Sequence, residues 1–136
     1  MVEAVDIPVL VNGDILTPQD ATAALQQSGA AGVMVGRGAY GAPWLPAQIA
    51  QSLADGKAAN APSRQTQRDI AIEHVSAMLT HYGRDLGLKN ARKHIGWYLI
   101  SSCAAEPVVK AWRRALCTET DAAKVLDGLD MFYRDP

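Results

Sequence analysis

The apolar positions of this chain follow two rhythms. Over the first 54 residues they gather into short unbroken runs, IPVLV at residues 7–11 and GVMVG at residues 32–36. Runs of this length, rich in β-branched residues and without a polar member, predict strands buried on both faces. Between them, LTPQDATAALQQSGAAG carries helix signals: Thr17 as cap, Pro18 at the first helical position, Asp20 in the positive first turn and Gly29 at the close. Its apolar face is narrow (Ala21, Ala24, Leu25), which lets a helix lie close on a sheet. A short turn and a helix over about residues 43–54 follow the second run. The order strand–helix–strand–helix implies parallel strands and a right-handed crossover.

Residues 55–65, DGKAANAPSRQ, are small and polar and read as a linker. Beyond them the apolar residues return at helical spacing. One helix is predicted from Thr66 to about Tyr82, with Ile70, Val75, Met78, Leu79 and Tyr82 near one face. A second runs from about Leu88 to Ser101. EPVVKAWRRALC gives a third, with Pro107 near its start, and TETDAAKVLDGLDMFYRD a fourth, with Thr118 as its cap and a solvated acidic face from Asp121 to Asp130. Four helices with short connections make a bundle. The expected organisation is an α/β part at residues 1–54, a linker at 55–65 and an all-α helical bundle domain at 66–136.

Composition narrows the function classes. The chain has 136 residues, 49% hydrophobic and 20% charged, with a net charge of -1, so nucleic acid or membrane is met through a local patch and not by bulk attraction. Cys103 and Cys117 form no CxxC pattern and read as reduced thiols of a cytoplasmic protein. No apolar stretch reaches the roughly 18 residues of a membrane span, and the first residues lack the pattern of a signal peptide.

Both strands end in the same way, the first in Asn12-Gly13-Asp14 and the second in Gly36-Arg37-Gly38. In a parallel sheet these ends share the carboxyl edge, where ligands bind. Glycines there let backbone N–H groups approach an anion, the following helix start adds partial positive charge, and Arg37 adds a forked, fully charged donor. Asn12 and Asp14 offer groups for hydroxyls or for fixing the loop. The pattern is a phosphate cradle, although Asn-Gly and Gly-Arg-Gly are also ordinary turn chemistry.

The helical part carries a second candidate. At 100° per residue, Leu88, Ala91, Ile95, Tyr98 and Leu99 share one side of their helix, and Lys89, Arg92, Lys93 and Gly96 the other, with Arg84 just before. This is a basic stripe with a glycine gap through which a bulky partner can approach the backbone. It is either an RNA-phosphate contact or an ordinary solvated face. His94, beside Trp97, reads as a structural histidine. His74 and His81 have no Cys or carboxylate at ligand spacing, so no metal site is expected. Trp44, Trp97 and Trp112 read as core or interface residues, and Arg113-Arg114 as surface.

IPVLVNGDI, GAAGVMVGRGAYGAPWL and HYGRDLGLKNARKHIGWYL, in this order, resemble the C-terminal part of bacterial tRNA-dihydrouridine synthases of the DusB-like branch. The resemblance covers nearly the whole chain. It implies that residues 1–54 are the last two β/α units of a (β/α)8 barrel that binds FMN, and that the helical domain binds tRNA. It implies an oxidoreductase that reduces tRNA uridines to dihydrouridine with NADPH as electron source. Asn12, Gly13, Asp14, Gly36 and Arg37 would hold the flavin phosphate, and Arg84, Lys89, Arg92 and Lys93 would meet tRNA. The family's catalytic cysteine lies in a barrel segment with no counterpart here, so no catalytic residue is assigned and this chain alone is expected to be inactive. Two other readings stay open: a stand-alone helical RNA-binding module, and a protein that self-associates through exposed strands.

Overall fold

The computed structural model describes residues 2–134, so Asp135, the last residue of the predicted fourth helix, lies outside the described residues. The chain forms two compact units, residues 1–61 and residues 62–136.

In the first unit, β1 (Leu10–Val11) and β2 (Gly32–Val33) pair in parallel, Leu10 opposite Gly32 and Val11 opposite Val33. Backbone bonds from Ala31 N–H to the Val9 carbonyl and from Met34 N–H to the Val11 carbonyl, both 2.9 Å, extend the contact at either end. α1 (Pro18–Ser28) connects them. Thr17 Oγ1 accepts from the Asp20 N–H at 3.1 Å, and Asp20 Oδ2 accepts from the Thr17 N–H at 2.8 Å. This reciprocal cap fixes where the helix starts, and Gly29 at φ +66° ends it. A 3-10 turn at Arg37–Ala39 leads to α2 (Leu45–Asp55).

The two helices cover one face of the strand pair. Ile15, Ala21, Leu45 and Ile49 are buried there, with Ala24, Val33, Val35 and Ala42 packed against them. The other face is open: Ile7 is 71% exposed, Leu10 62% and Met34 48%. This corrects the prediction of strands buried on both faces, and the strands are also shorter than the runs IPVLV and GVMVG. The reason is the same in both cases. A doubly buried strand needs partners on both sides and cover on both faces, and here each strand pairs with one neighbour.

The second unit contains α3 (Arg64–Tyr82), α4 (Arg84–Ser101), α5 (Glu106–Thr118) and α6 (Ala122–Arg134). α3 packs on α4 and α6, and α5 on α4 and α6. The core is built from Val75, Ile95, Leu99, Val125, Leu129 and Phe132, all fully buried. Arg64 donates to the Phe132 carbonyl at 3.1 Å and the Tyr133 carbonyl at 3.3 Å, which places a cation on the negative end of α6.

Several helix boundaries differ from the prediction for local reasons. Ser63 Oγ accepts from the Thr66 N–H at 3.2 Å, so α3 starts inside the predicted linker. α4 starts at Arg84 because a single residue, Gly83 at φ +77°, makes the whole turn. Thr118 does not cap α6. It is the last residue of α5 and donates to the Arg114 carbonyl at 2.8 Å, whereas Asp121 caps α6 by accepting from the Ala123 N–H at 2.9 Å. The acidic face is only partly solvated: Asp130 pairs with Arg68 at 3.3 Å and with Arg134 at 2.9 Å.

Gly87 sets how closely the first two helices of this unit approach. A Cβ at this position would stand 2.9 Å from both Leu79 Cα and the Met78 carbonyl oxygen, so α3 and α4 touch backbone to backbone just after their turn. Among the described residues, no helix is long and apolar enough to cross a membrane.

Candidate functional site

The parallel register brings the two strand ends level. Asn12, Gly13, Asp14, Gly36, Arg37 and Gly38, together with Ile15 and Leu16, line one depression of about 340 Å³. Arg37 Nη2 lies 2.5 Å from Asp14 Oδ1, and both side chains are mostly exposed. Asp14 sits at φ +45°, a left-handed conformation that Asp tolerates better than most residues. It turns the chain so that its carboxylate meets the guanidinium one crossover away.

The glycines do different jobs. A Cβ at Gly13 or Gly36 would meet nothing within 4 Å, so the backbone there is open to a ligand. A Cβ at Gly38 would collide with the Ile15 carbonyl oxygen. Gly38 is therefore required for the 3-10 turn to seat on the Ile15 carbonyl. The bonds of that turn run from Ala39 N–H to the Gly36 carbonyl and from Tyr40 N–H to the Arg37 carbonyl. No hydrogen bond among the described residues engages the Arg37 and Gly38 amides at its opening end. Open backbone, free helical-turn amides and one guanidinium suit a phosphate monoester. Asp14 fits as the residue that aims Arg37, since its own charge repels an anion.

The charge of the chain is unevenly divided. Residues 62–136 hold 11 of the 13 Lys and Arg and 9 of the 14 Asp and Glu, a net +2, while residues 1–61 carry -3. Of the two cations of residues 1–61, Arg37 and Lys57, it is Arg37 that lines the depression.

In the second unit the predicted basic stripe divides in two. Lys89 and Lys93 are exposed and line a depression of about 290 Å³ between α3 and α4, with Met78, Tyr82, Asn90 and His94. Arg84 is exposed at the start of α4. Arg92 is half-buried on the side towards α5, where its carbonyl accepts from Cys117 Sγ at 3.5 Å and its own Nε has no partner among the described residues. The glycine gap is closed: Gly96 is buried, and Arg113 Nε lies 3.4 Å from where its Cβ would stand. A helical wheel places residues around one axis but does not show which neighbour covers each side.

Pattern reading missed Tyr82 and Asn90 as surface groups. Tyr82 falls on the apolar stripe of α3 but is 48% exposed, at the last residue of the helix before Gly83. Its proximity to the helix-ending glycine was the available signal.

The histidines form a linked set. His74 Nδ1 lies 3.0 Å from the Tyr98 hydroxyl, and the His94 ring meets His74 edge-on at 4.7 Å and Trp97 at 5.1 Å between centroids. Burial holds His94 below the ordinary imidazole value, helped by His74 and Lys93, and burial pushes Tyr98 up to about 12. Burial also raises the Cys117 thiol, opposed by Arg113 and Arg92. Cys103 and Cys117 are both free thiols of the helical unit. Among the described residues, no three His, Cys, Asp or Glu side chains gather as a metal site.

Comparison with known proteins adds to this geometry. The family model described as "Dihydrouridine synthase (Dus)" matches residues 1–134. A probable tRNA-dihydrouridine synthase of Rhodobacter capsulatus is 51% identical over 90% of this chain and 36% of its own length. One from Rickettsia conorii is 46% identical over 96% of the chain and 38% of its length. The tRNA-dihydrouridine synthase B of Pseudomonas syringae pv. tomato is 39% identical over 98% of the chain and 40% of its length. The chain thus spans about two fifths of the length of the curated relatives it matches.

The burial of His94 should make the helical unit sensitive to acid. Because His94 is held below 6.5, the unfolded chain takes up this proton first as pH falls. The stabilising contribution is complete above 6.5 and is lost as pH drops through that value towards the folded one. Urea unfolding followed by helical circular dichroism should give a lower midpoint at pH 5 than at pH 7.5, and His94→Gln should reduce that difference. An unchanged difference in His94→Gln would remove His94 from the account.

Proposed function

Because the chain belongs to the dihydrouridine synthase family, we propose that it supplies the phosphate-holding edge and the RNA-docking unit of an FMN-dependent tRNA-dihydrouridine synthase. The observation that carries this reading is the convergence of Asn12-Gly13-Asp14 and Gly36-Arg37-Gly38 on one polar depression at the carboxyl ends of two parallel strands. That is where the last two β/α units of a (β/α)8 barrel hold a phosphate. Residues 1–54 are read as those units and residues 66–136 as the tRNA-binding domain.

FMN, when bound, supplies hydride transfer from NADPH to the uridine ring. The residues of this chain bind and orient it. The Gly13 and Gly36 backbones approach the phosphate, Arg37 neutralises it, Asp14 aims Arg37, and Asn12 offers its amide to a phosphate or ribityl oxygen. Arg84, Lys89 and Lys93 meet tRNA phosphates and set register without reading sequence, and Arg92 reinforces them from the α5 side. Neither cysteine is assigned an acid role, and the chain alone is inactive. Two free thiols suit a cytoplasmic location. The uncovered side chains of Ile7, Leu10 and Met34 favour self-association of the isolated chain. Light scattering should then give a mass that rises with concentration above 14.5 kDa, and a constant monomer mass would contradict it.

The phosphate reading is tested by titrating the chain with FMN and with riboflavin while following flavin fluorescence. FMN should bind more tightly. Arg37→Ala should weaken FMN by about 1.5–3 kcal/mol, the range for a hydrogen bond to a charged group, and leave riboflavin unchanged. Equal affinity for the two flavins would overturn the assignment.

A further inference from the structure

The depression between α3 and α4 has a composition that phosphate contact alone does not require. Lys89 and Lys93, one helical turn apart, stand on its α4 side, and among the described residues no carboxylate lies within 4 Å of either. Asn90 between them is half-buried, and no hydrogen bond among the described residues engages its side-chain amide. Opposite, on the last turn of α3, Tyr82 exposes an aromatic ring beside Met78. His94 also lines the depression, and its ring meets those of His74 and Trp97 edge-on. The Gly87 contact fixes the spacing of the two helices beside it.

A solvated basic face needs neither an exposed tyrosine nor a half-buried amide without a hydrogen bond among the described residues. An aromatic platform, an amide with donor and acceptor capacity and two flanking ammonium groups are what an unstacked nucleotide needs. At about 290 Å³ the space falls just below the usual range for drug-sized ligands, which suits a single base. His94 is held towards its neutral form, so the two exposed lysines supply the charge of the depression.

We propose that the α3–α4 depression is a subsite for one unstacked nucleotide of single-stranded or loop RNA. Tyr82 is the stacking platform, the Asn90 amide bonds the base edge, and Lys89 and Lys93 hold the flanking phosphates. This rests on the RNA-docking reading of the helical unit and adds a base contact to it.

The test is fluorescence anisotropy of a labelled single-stranded 12-mer oligoribonucleotide with the whole 136-residue chain, over a series of salt concentrations. Tyr82→Ala should weaken binding about tenfold and leave the salt slope unchanged, while Tyr82→Phe should stay within about twofold of the wild type. Lys93→Ala should reduce the slope by about 0.7, the value for one phosphate contact on a single strand. A duplex of the same sequence should bind without any effect of Tyr82→Ala. Circular dichroism checks that each variant keeps its helices. Salt-dependent binding that is indifferent to Tyr82→Ala would overturn the subsite and leave the docking reading intact. Displacement of the oligonucleotide by an acidic peptide of equal charge, with equal affinity, would also overturn it. Absence of any salt-dependent RNA binding would sink the docking reading and the subsite together.

Discussion

The parallel register of β1 and β2 sets both strand ends level, and the candidate cradle depends on it. With Leu10 opposite Gly32 and Val11 opposite Val33, the Asn12 and Gly36 turns leave the same edge. A slip by one residue would turn Val33 and Val35 away from the buried cluster of Ile15, Ala21, Leu45 and Ile49. The same packing that stabilises the unit therefore aligns the site. Gly38 reinforces the constraint, because only a residue without Cβ seats the Arg37 turn on the Ile15 carbonyl.

Charge is handled differently in the two units. In the acidic first unit the depression holds one guanidinium, that of Arg37, which pairs with Asp14, and the Gly13 and Gly36 backbones line the same space. In the second, cations spread over α4 and α5 and most lack acidic partners among the described residues. The first arrangement suits a small anion in a fixed position, and the second suits a polyanion that can be met in several registers.

Local signals were legible in the sequence wherever the physics is local. Thr17, Pro18, Asp20 and Gly29 bracket α1 as their chemistry requires. The pairing of Asn12-Gly13-Asp14 with Gly36-Arg37 followed from strand order, because parallel strands place their ends together. What failed depends on neighbours. The open face of Leu10 and Met34, the closure of Gly96 by Arg113 and the exposure of Tyr82 are set by which element lies opposite. A periodicity gives the face of a helix and not its cover. The offset starts of α3 and α4 have a smaller cause: a serine cap and a one-residue glycine turn are compatible with several boundaries until the packing selects one.

The central claim is that two strand ends form one phosphate cradle. Amide chemical shifts of the 15N-labelled chain during an FMN titration, with riboflavin as the reference, address it most directly. The account predicts that the Gly13, Gly36 and Gly38 amides move together with FMN, along one binding curve, and stay in place with riboflavin. Movement of only one strand end, or the same response to both flavins, would contradict it.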